Sequence, residues 1–218
     1  MNTTDFRSML ENIIFQEVEL SVIRDYYHEM EKYNYSAQEK HKEYLRNAKK
    51  YTLEGLGQEA DSYADHYMDI FNENLDYYVN GHLQLLRRTT FVEIYFLFED
   101  FMNKKCKLHK ELNNSNLSLR DINGQGIERA KIYLTKVCNI TEPFKTKEWS
   151  NIIEYGKARN AIVHNRSIVV KKKDYGVKNL PGLKVVKIRD DNSFPFILEE
   201  DFVPICLNTI NKFVENFK

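Results

Sequence analysis

Apolar side chains recur at helical spacing along most of the first 165 residues, and this periodicity favours a mainly helical fold. The 218 residues include only 8 glycines and 4 prolines, too few for an all-β sandwich rich in turns. No stretch approaches the roughly 20 uncharged apolar residues of a membrane span. The N-terminus lacks the basic segment of a secretory signal. We therefore expect a cytoplasmic helical protein with no membrane partner.

The period of the apolar residues changes near residue 167. Before that point the pattern predicts helices, and after it come short β-branched segments separated by turn residues, followed by a closing helix. The predicted helices cover residues 5–33, 36–53, 58–78, 82–110, 121–139, 146–165 and 200–217, with Asn80-Gly81 either a turn or only a weak point between the third and the fourth. The segments 167–171, 183–189 and 195–198 predict two or three strands. The expected fold is an antiparallel helical bundle with a small antiparallel β insertion, at about 167–198, before the C-terminal helix.

Charge divides the chain although its net charge is zero. Residues 1–100 carry 10 basic and 19 acidic side chains, whereas residues 101–190 carry 20 basic and 8 acidic ones. We expect residues 1–80 to form acidic helices that pack on or extend a bundle domain at 81–218. A basic second half is typical of nucleic-acid binding.

Cysteine usage indicates neither a disulfide framework nor a zinc site. The three cysteines, Cys106, Cys138 and Cys206, are widely spaced and form no CxxC pair. No histidine stands at ligand spacing beside Glu93 or Glu99. We expect reduced thiols, no metal and no cofactor.

The residues that most suggest a function form the segment Arg159-Asn-Ala-Ile-Val-His164, near the end of a predicted helix in the basic part. At about 100° per residue, Asn160 and His164 share a face, whereas Arg159 and His164 lie about 140° apart. An apolar stripe that includes Gly156 and Val163 runs between Arg159 and His164. A single helix is therefore poorly disposed to surround one phosphate with both side chains.

Arg159-Asn160-xxx-His164 resembles the Arg-x4-6-His motif of HEPN (higher eukaryotes and prokaryotes nucleotide-binding) domains, including the polar residue after the arginine. The placement late in a helical bundle, before a short β segment and a final helix, is also similar. The resemblance covers about residues 85–218.

The resemblance implies a HEPN-like bundle that acts as a metal-independent endoribonuclease and forms a homodimer through the Arg159–His164 helix. His164 would transfer a proton, Arg159 would hold the scissile phosphate, and Asn160 would orient one of them. The ribose 2′-OH would be the nucleophile, so the products would end in 2′,3′-cyclic phosphates and DNA would not be cleaved. A toxin or antiviral-defence role, with a possible cognate antitoxin, is implied by the resemblance alone.

Further residues are expected to support this site. Glu99 resembles the acidic residue on an earlier HEPN core helix that contacts the motif arginine, and Asn165 directly follows the motif. Weaker candidates for RNA binding are the basic residues Lys104, Lys105, Lys157, Arg166, Lys171, Lys172 and Lys173.

Two other interpretations remain open. The chain is a non-catalytic HEPN module for dimerisation or for binding RNA or a nucleotide, or it is a helical adaptor in which Arg159 and His164 only stabilise a helix end.

Overall fold

A computed structural model describes residues 3–56, 60–170, 175–186 and 193–217 and shows a mainly helical chain with a small antiparallel sheet. The helices are α1 (Thr3–Ile13), α2 (Leu20–Leu56), α3 (Ala60–Leu112), α4 (Gly126–Lys136), α5 (Lys147–Asn165) and α6 (Phe202–Glu215), and the strands are β1 (Ile168–Val170), β2 (Leu183–Val185) and β3 (Ser193–Leu198). A π-helical segment, Ile14–Glu19, joins α1 to α2. In the described chain, no helix is both long and apolar enough to cross a membrane.

The chain divides into two compact units. One combines Met1–Arg24 with Arg88–Lys218, and the other is Asp25–Arg87. The first unit contains all three described strands and the whole of α4, α5 and α6. The predicted site residues therefore all belong to this unit, apart from three lysines at 171–173 that lie outside the described residues.

The second unit contains a buried polar cluster that joins its two helices. Glu31 on α2 accepts hydrogen bonds from the Tyr27 hydroxyl, at 2.8 Å, and from Nε of Arg87 on α3, at 2.7 Å. All three residues are buried, and burial raises the pKa of Tyr27. Since a buried charge is costly unless it is paired, the cluster requires all three partners.

Helix α6 contributes much of the core of the first unit, because eight of its 14 residues are buried. Phe202 packs edge-to-face on Phe91 of α3, with ring centroids 4.9 Å apart. Near the other end of α6, Phe213 packs on Phe98 of α3, at 5.5 Å, and on Trp149 of α5, at 5.4 Å. Aromatic pairs of this kind add to the free energy from apolar burial. They hold α3 and α5 against the same helix.

The sheet has the strand order β1-β3-β2, with both pairs antiparallel. Along β3 the buried residues Phe194, Phe196 and Leu198 alternate with half-buried ones, which is the period of two expected for a strand with one face on the core. The predicted mainly helical fold with a small antiparallel sheet before the last helix is confirmed.

The predicted helix break at Asn34 and Tyr35 is wrong, since α2 continues through both residues. The Asn34 side-chain amide donates a hydrogen bond to the Met30 carbonyl at 2.8 Å, which satisfies the asparagine without ending the helix. Ser36, where the helix predicted over 36–53 begins, therefore lies inside α2.

The helix predicted over 121–139 is shorter in the structure, where α4 begins at Gly126 and ends at Lys136. Gly124 and Gly126 have φ values of +119° and +52°, a backbone conformation that delays the helix start. Asp121 belongs instead to a short 3₁₀ turn and accepts hydrogen bonds from the backbone and hydroxyl of Ser118.

Lys105 on α3 is buried, which corrects its prediction as an RNA-binding residue. Its Nζ donates hydrogen bonds to the Ser8 carbonyl, at 2.7 Å, and to the Ser8 hydroxyl, at 3.0 Å, and lies 3.5 Å from the Glu11 carboxylate. Burial lowers the pKa of Lys105 to about 8, against the opposing influence of Glu11. The ammonium group thus fixes α1 on the first unit and is not on the surface.

The buried Lys105 should make the free energy of unfolding depend on pH. Between its folded pKa of about 8 and its ordinary value of 10.5, the unfolded chain binds more protons than the folded chain. The free energy of unfolding therefore rises with pH across that window, by about 3 kcal/mol if the whole shift is expressed. We expect Lys105→Met to remove this rise, as measured by urea unfolding at a series of pH values.

Lys107→Met is the matched control, because Lys107 lies on the same helix and is exposed. Subtracting the variant curve from the wild-type curve removes the contributions of other titrating groups. Wild-type and Lys105→Met curves that run parallel from pH 8 to 10.5 contradict the assignment.

Candidate functional site

Helix α5 carries the predicted site residues and is anchored in the core along its length. The Thr146 hydroxyl caps the helix by accepting the Trp149 backbone N–H at 3.3 Å. Every third residue from Trp149 to Ala161 is buried, and because a step of three residues turns about 300°, these positions wind around the helix: Trp149, Ile152, Tyr155, Ala158 and Ala161. Val163, which the helical wheel placed in the apolar stripe, is 49% exposed instead. The buried residues fix the position of α5 and therefore the positions of Arg159 and Asn160.

Arg159 and Asn160 line a cavity of about 560 Å³ in the first unit. Three elements form its walls: α3, α5 and the beginning of α4. The lining residues are Tyr95, Phe96 and Glu99 from α3, Gln125, Gly126, Ile127 and Glu128 at the start of α4, and Ile153, Gly156, Lys157, Arg159 and Asn160 from α5. A volume of this size lies within the range of small-molecule sites.

Arg159 has donor groups that the described chain does not use. One Nη donates to the Asn160 side-chain oxygen at 3.1 Å, and the guanidinium carbon lies 6.0 Å from the centroid of the Tyr95 ring. Within the described residues, no carboxylate comes within 4 Å of the guanidinium, and its Nε is buried without a hydrogen-bond partner. A guanidinium in this state suits an oxyanion ligand that accepts two hydrogen bonds.

Tyr95 and Gly156 bring α3 and α5 into direct contact. A Cβ atom on Gly156 would collide with the phenol oxygen of Tyr95, so only glycine permits this approach. Burial, together with the nearby Glu99 carboxylate, raises the pKa of Tyr95, whereas Arg159 opposes the shift. The phenol therefore stays protonated near neutral pH and is available as a hydrogen-bond donor at the cavity wall.

Glu99 lies in the same cavity as Arg159 but forms no ion pair with it in the described structure. Its carboxylate lies against Gly126, where a Cβ atom would stand 3.3 Å from Oε1. Gly126 also has a left-handed φ of +52°. Glycine at this position therefore both permits the backbone conformation and leaves space for the Glu99 carboxylate. The expected direct contact between Glu99 and the motif arginine is not present.

His164 is outside the cavity, five residues beyond Arg159 at the exposed end of α5. The His164 side chain forms no hydrogen bond or ion pair with the described part of the chain. The helix ends directly after Asn165, where Arg166 and Ser167 both adopt left-handed φ values and the Ser167 amide donates to the Ala161 carbonyl at 2.9 Å. The motif is therefore divided: Arg159 and Asn160 line the cavity, whereas His164 and Asn165 face solvent.

The predicted basic residues do not form one described surface. Lys104 is paired with Glu19 and Asp100, at 3.0 and 2.9 Å. Lys157 lines the cavity and is paired with Glu154 at 2.7 Å. Arg166 is exposed beside His164. Lys171, Lys172 and Lys173 lie outside the described residues.

Several lining residues were not predicted, among them Tyr95, Phe96, Gln125 and Glu128. A partial signal existed for the first two, because Tyr95 and Phe96 stand four and three residues before Glu99 and such spacings share a helix face. The start of α4 offered only a pair of glycines. Nothing in the sequence pattern indicates that this start faces α5.

Metal and thiol chemistry receive no support from the described residues. No group of three or more His, Cys, Asp or Glu side chains there is placed to hold a metal ion. Burial raises the pKa of Cys106 to about 12 and that of Cys138 to about 11, so neither thiol is a ready nucleophile at neutral pH.

No family model matches the chain, and comparison with curated proteins and with solved structures found no match either.

The contact at Gly156 predicts opposite effects for two glycine substitutions. Gly156→Ala should lower the free energy of unfolding by about 0.5–2 kcal/mol, because the cost of displacing Tyr95 exceeds the gain in helix propensity from alanine. Gly81→Ala should raise it by about 0.5–1 kcal/mol, because Gly81 lies within α3 with no atom within 4 Å of a new Cβ. Urea unfolding of the two variants measures both. A stabilising Gly156→Ala substitution would show that α3 and α5 are not in close contact.

Proposed function

We propose that this protein is a metal-independent endoribonuclease of HEPN type, and one observation carries the proposal. Arg159, from the motif that resembles HEPN domains, has unused donor groups in a nucleotide-sized cavity. Asn160 holds the guanidinium by a hydrogen bond, and the Tyr95 ring lies beside it. A planar guanidinium with free donors binds a phosphodiester and stabilises the charge that develops on its equatorial oxygens.

The proposed reaction uses the RNA's own 2′-OH. The 2′-oxygen attacks the adjacent phosphorus, the bond from phosphorus to the 5′-oxygen breaks, and the products are a 2′,3′-cyclic phosphate and a 5′-OH end. His164 takes the proton from the 2′-OH or gives one to the leaving 5′-oxygen, a role that suits imidazole at neutral pH. DNA, which lacks the 2′-OH, is not a substrate.

The position of His164 favours a site shared by two copies of the chain. In one chain His164 is exposed at the end of α5 and does not line the cavity that holds Arg159. Val163 beside it is 49% exposed and offers apolar surface to a second α5. We propose a homodimer through the Arg159–His164 helix that brings two motifs to one phosphodiester. A cytoplasmic toxin or antiviral-defence role, with a cognate antitoxin, belongs to the same proposal.

A second candidate is a non-catalytic module that binds RNA or a nucleotide and dimerises through the same helix. It is favoured by the separation of His164 from the cavity, since Arg159, Asn160 and Lys157 suffice to bind a phosphate. The adaptor interpretation, in which Arg159 and His164 are structural, has less support. The His164 side chain is solvent-exposed and forms no hydrogen bond or ion pair with the described part of the chain, so it does not hold the helix end in place.

The decisive experiment compares wild-type protein with Arg159→Ala, His164→Ala and His28→Ala on total RNA and tRNA in EDTA. We expect wild-type and His28→Ala to cleave, and both motif variants to lose cleavage by at least about 100-fold. His164→Ala removes a general acid or base, and Arg159→Ala removes a group that stabilises the developing charge. Mapping the product ends should find 2′,3′-cyclic phosphates. His28 is the control because it is also exposed.

Stability measurements separate the candidates further. His164→Ala should change the free energy of unfolding by no more than about 0.5 kcal/mol, as is usual for an exposed side chain. A loss of 1–2 kcal/mol, typical of a removed helix cap, would instead support the adaptor interpretation. Folded, dimeric wild-type protein that binds RNA without cleaving it would support the non-catalytic module.

A further inference from the structure

The cavity has two chemically different sides, and phosphate binding accounts for only one of them. Lys157 and Arg159 on α5 provide the cationic side. The lining residues from α3 and the start of α4 include two carboxylates, Glu99 and Glu128, and the ring of Phe96. Carboxylates repel a phosphate, and a phosphate makes no use of an aromatic ring. The side that carries Glu99, Glu128 and Phe96 therefore suits a part of a nucleotide other than its phosphate.

Phe96 is suited to stacking on a base. It is 59% exposed, whereas its neighbour Tyr95 is 7% exposed and Phe98 on the same helix is fully buried. Phe96 is thus a cavity-lining ring that the core does not use. Stacking of a base on an exposed aromatic ring is a general mode of single-stranded RNA recognition and is open to every base.

Glu99 adds the selectivity that stacking lacks. It lies three residues after Phe96, so the two side chains share a face of α3. In the described structure its carboxylate has neither a hydrogen bond nor an ion pair, and Gly126 leaves space beside it. A carboxylate has two acceptor oxygens and, when ionised, no donor.

Among the four RNA bases, guanine alone presents two neighbouring donors, N1–H and the N2 amino group, which match both oxygens of one carboxylate. Adenine and cytosine present one amino group beside an acceptor nitrogen, and uracil presents one N–H between two carbonyls. Each of these three bases sets an acceptor against one of the carboxylate oxygens. The chemistry of Glu99 therefore discriminates among bases that stack equally well.

We propose that the cavity binds a guanine base, which stacks on Phe96 and donates both hydrogen bonds to Glu99, with its phosphate directed to Arg159. The cavity volume of about 560 Å³ accommodates a nucleotide of this size. This inference rests on the proposed ribonuclease function, for which it specifies cleavage beside guanosine.

The test uses short RNA oligonucleotides in which every ribose but one is 2′-O-methylated, so that only one nucleotide can be cleaved. That nucleotide is guanosine, inosine, adenosine, cytidine or uridine. Inosine lacks the N2 amino group and removes one of the two hydrogen bonds. We expect wild-type protein to cleave beside guanosine about tenfold or more faster than beside any other base, a discrimination typical of a bidentate contact.

Substitutions then assign the preference to the two residues. Glu99→Gln replaces one acceptor by a donor and should bring the rates for guanosine and inosine within about twofold, since the lost contact no longer discriminates. Glu93→Gln is the matched control, because Glu93 is an exposed carboxylate on the same helix outside the cavity lining. Phe96→Ala should slow cleavage at every base without changing the guanosine-to-inosine ratio.

Binding measurements keep this inference separate from the proposed reaction. Equilibrium dialysis with guanosine, inosine and adenosine 3′-monophosphates, which carry the phosphate on the side of the scissile bond, tests the base site without any cleavage. Preference for the guanosine nucleotide that Glu99→Gln abolishes would support the base site even if no RNA is cleaved. Cleavage with equal rates at all bases, or equal binding of the three nucleotides, overturns the guanine site. Absence of both cleavage and nucleotide discrimination overturns both proposals.

Discussion

The contact between the Tyr95 phenol and Gly156 determines the geometry on which the candidate site depends. It brings α3 and α5 close enough to form two sides of one cavity, and it sets the Tyr95 ring beside the Arg159 guanidinium. Because α6 holds both helices through Phe202 and Phe213, the approach is supported from the core side as well. A larger residue at position 156 would displace Tyr95 and would therefore also disturb the Arg159 guanidinium beside the Tyr95 ring.

Folding of the first unit brings basic and acidic side chains together from distant parts of the sequence. The sequence divides into an acidic first half and a basic second half, yet the buried Lys105 binds Ser8 of α1, and the acidic Glu19 is paired with Lys104 on α3. Folding thus brings basic residues of the second half onto acidic residues of the first. The cavity retains both signs, which is the combination required by a ligand with an anionic part and a part rich in hydrogen-bond donors.

Much of the fold was predictable from local patterns, and less of the site was. The helix predicted over 146–165 matches α5 to within one residue, because the helical spacing of apolar residues is a local pattern. The continuity of α2 through Asn34 was missed, since a side chain that usually ends helices bonds within this one instead. The shared cavity of Glu99 and Arg159 follows from tertiary packing of three elements, and so does the separation of His164 from it. No local pattern encodes such distances.

The polar cluster of the second unit, formed by Tyr27, Glu31 and Arg87, restricts how α2 and α3 can be aligned along each other there. A purely apolar seam tolerates a shift by one helical turn, because one aliphatic side chain replaces another at little cost. A shift of about 5.4 Å would instead separate Arg87 from Glu31 and leave two charges buried without partners. The Tyr27 hydroxyl bond to the same carboxylate further fixes its orientation. The cluster therefore specifies the register of α2 on α3 in this unit.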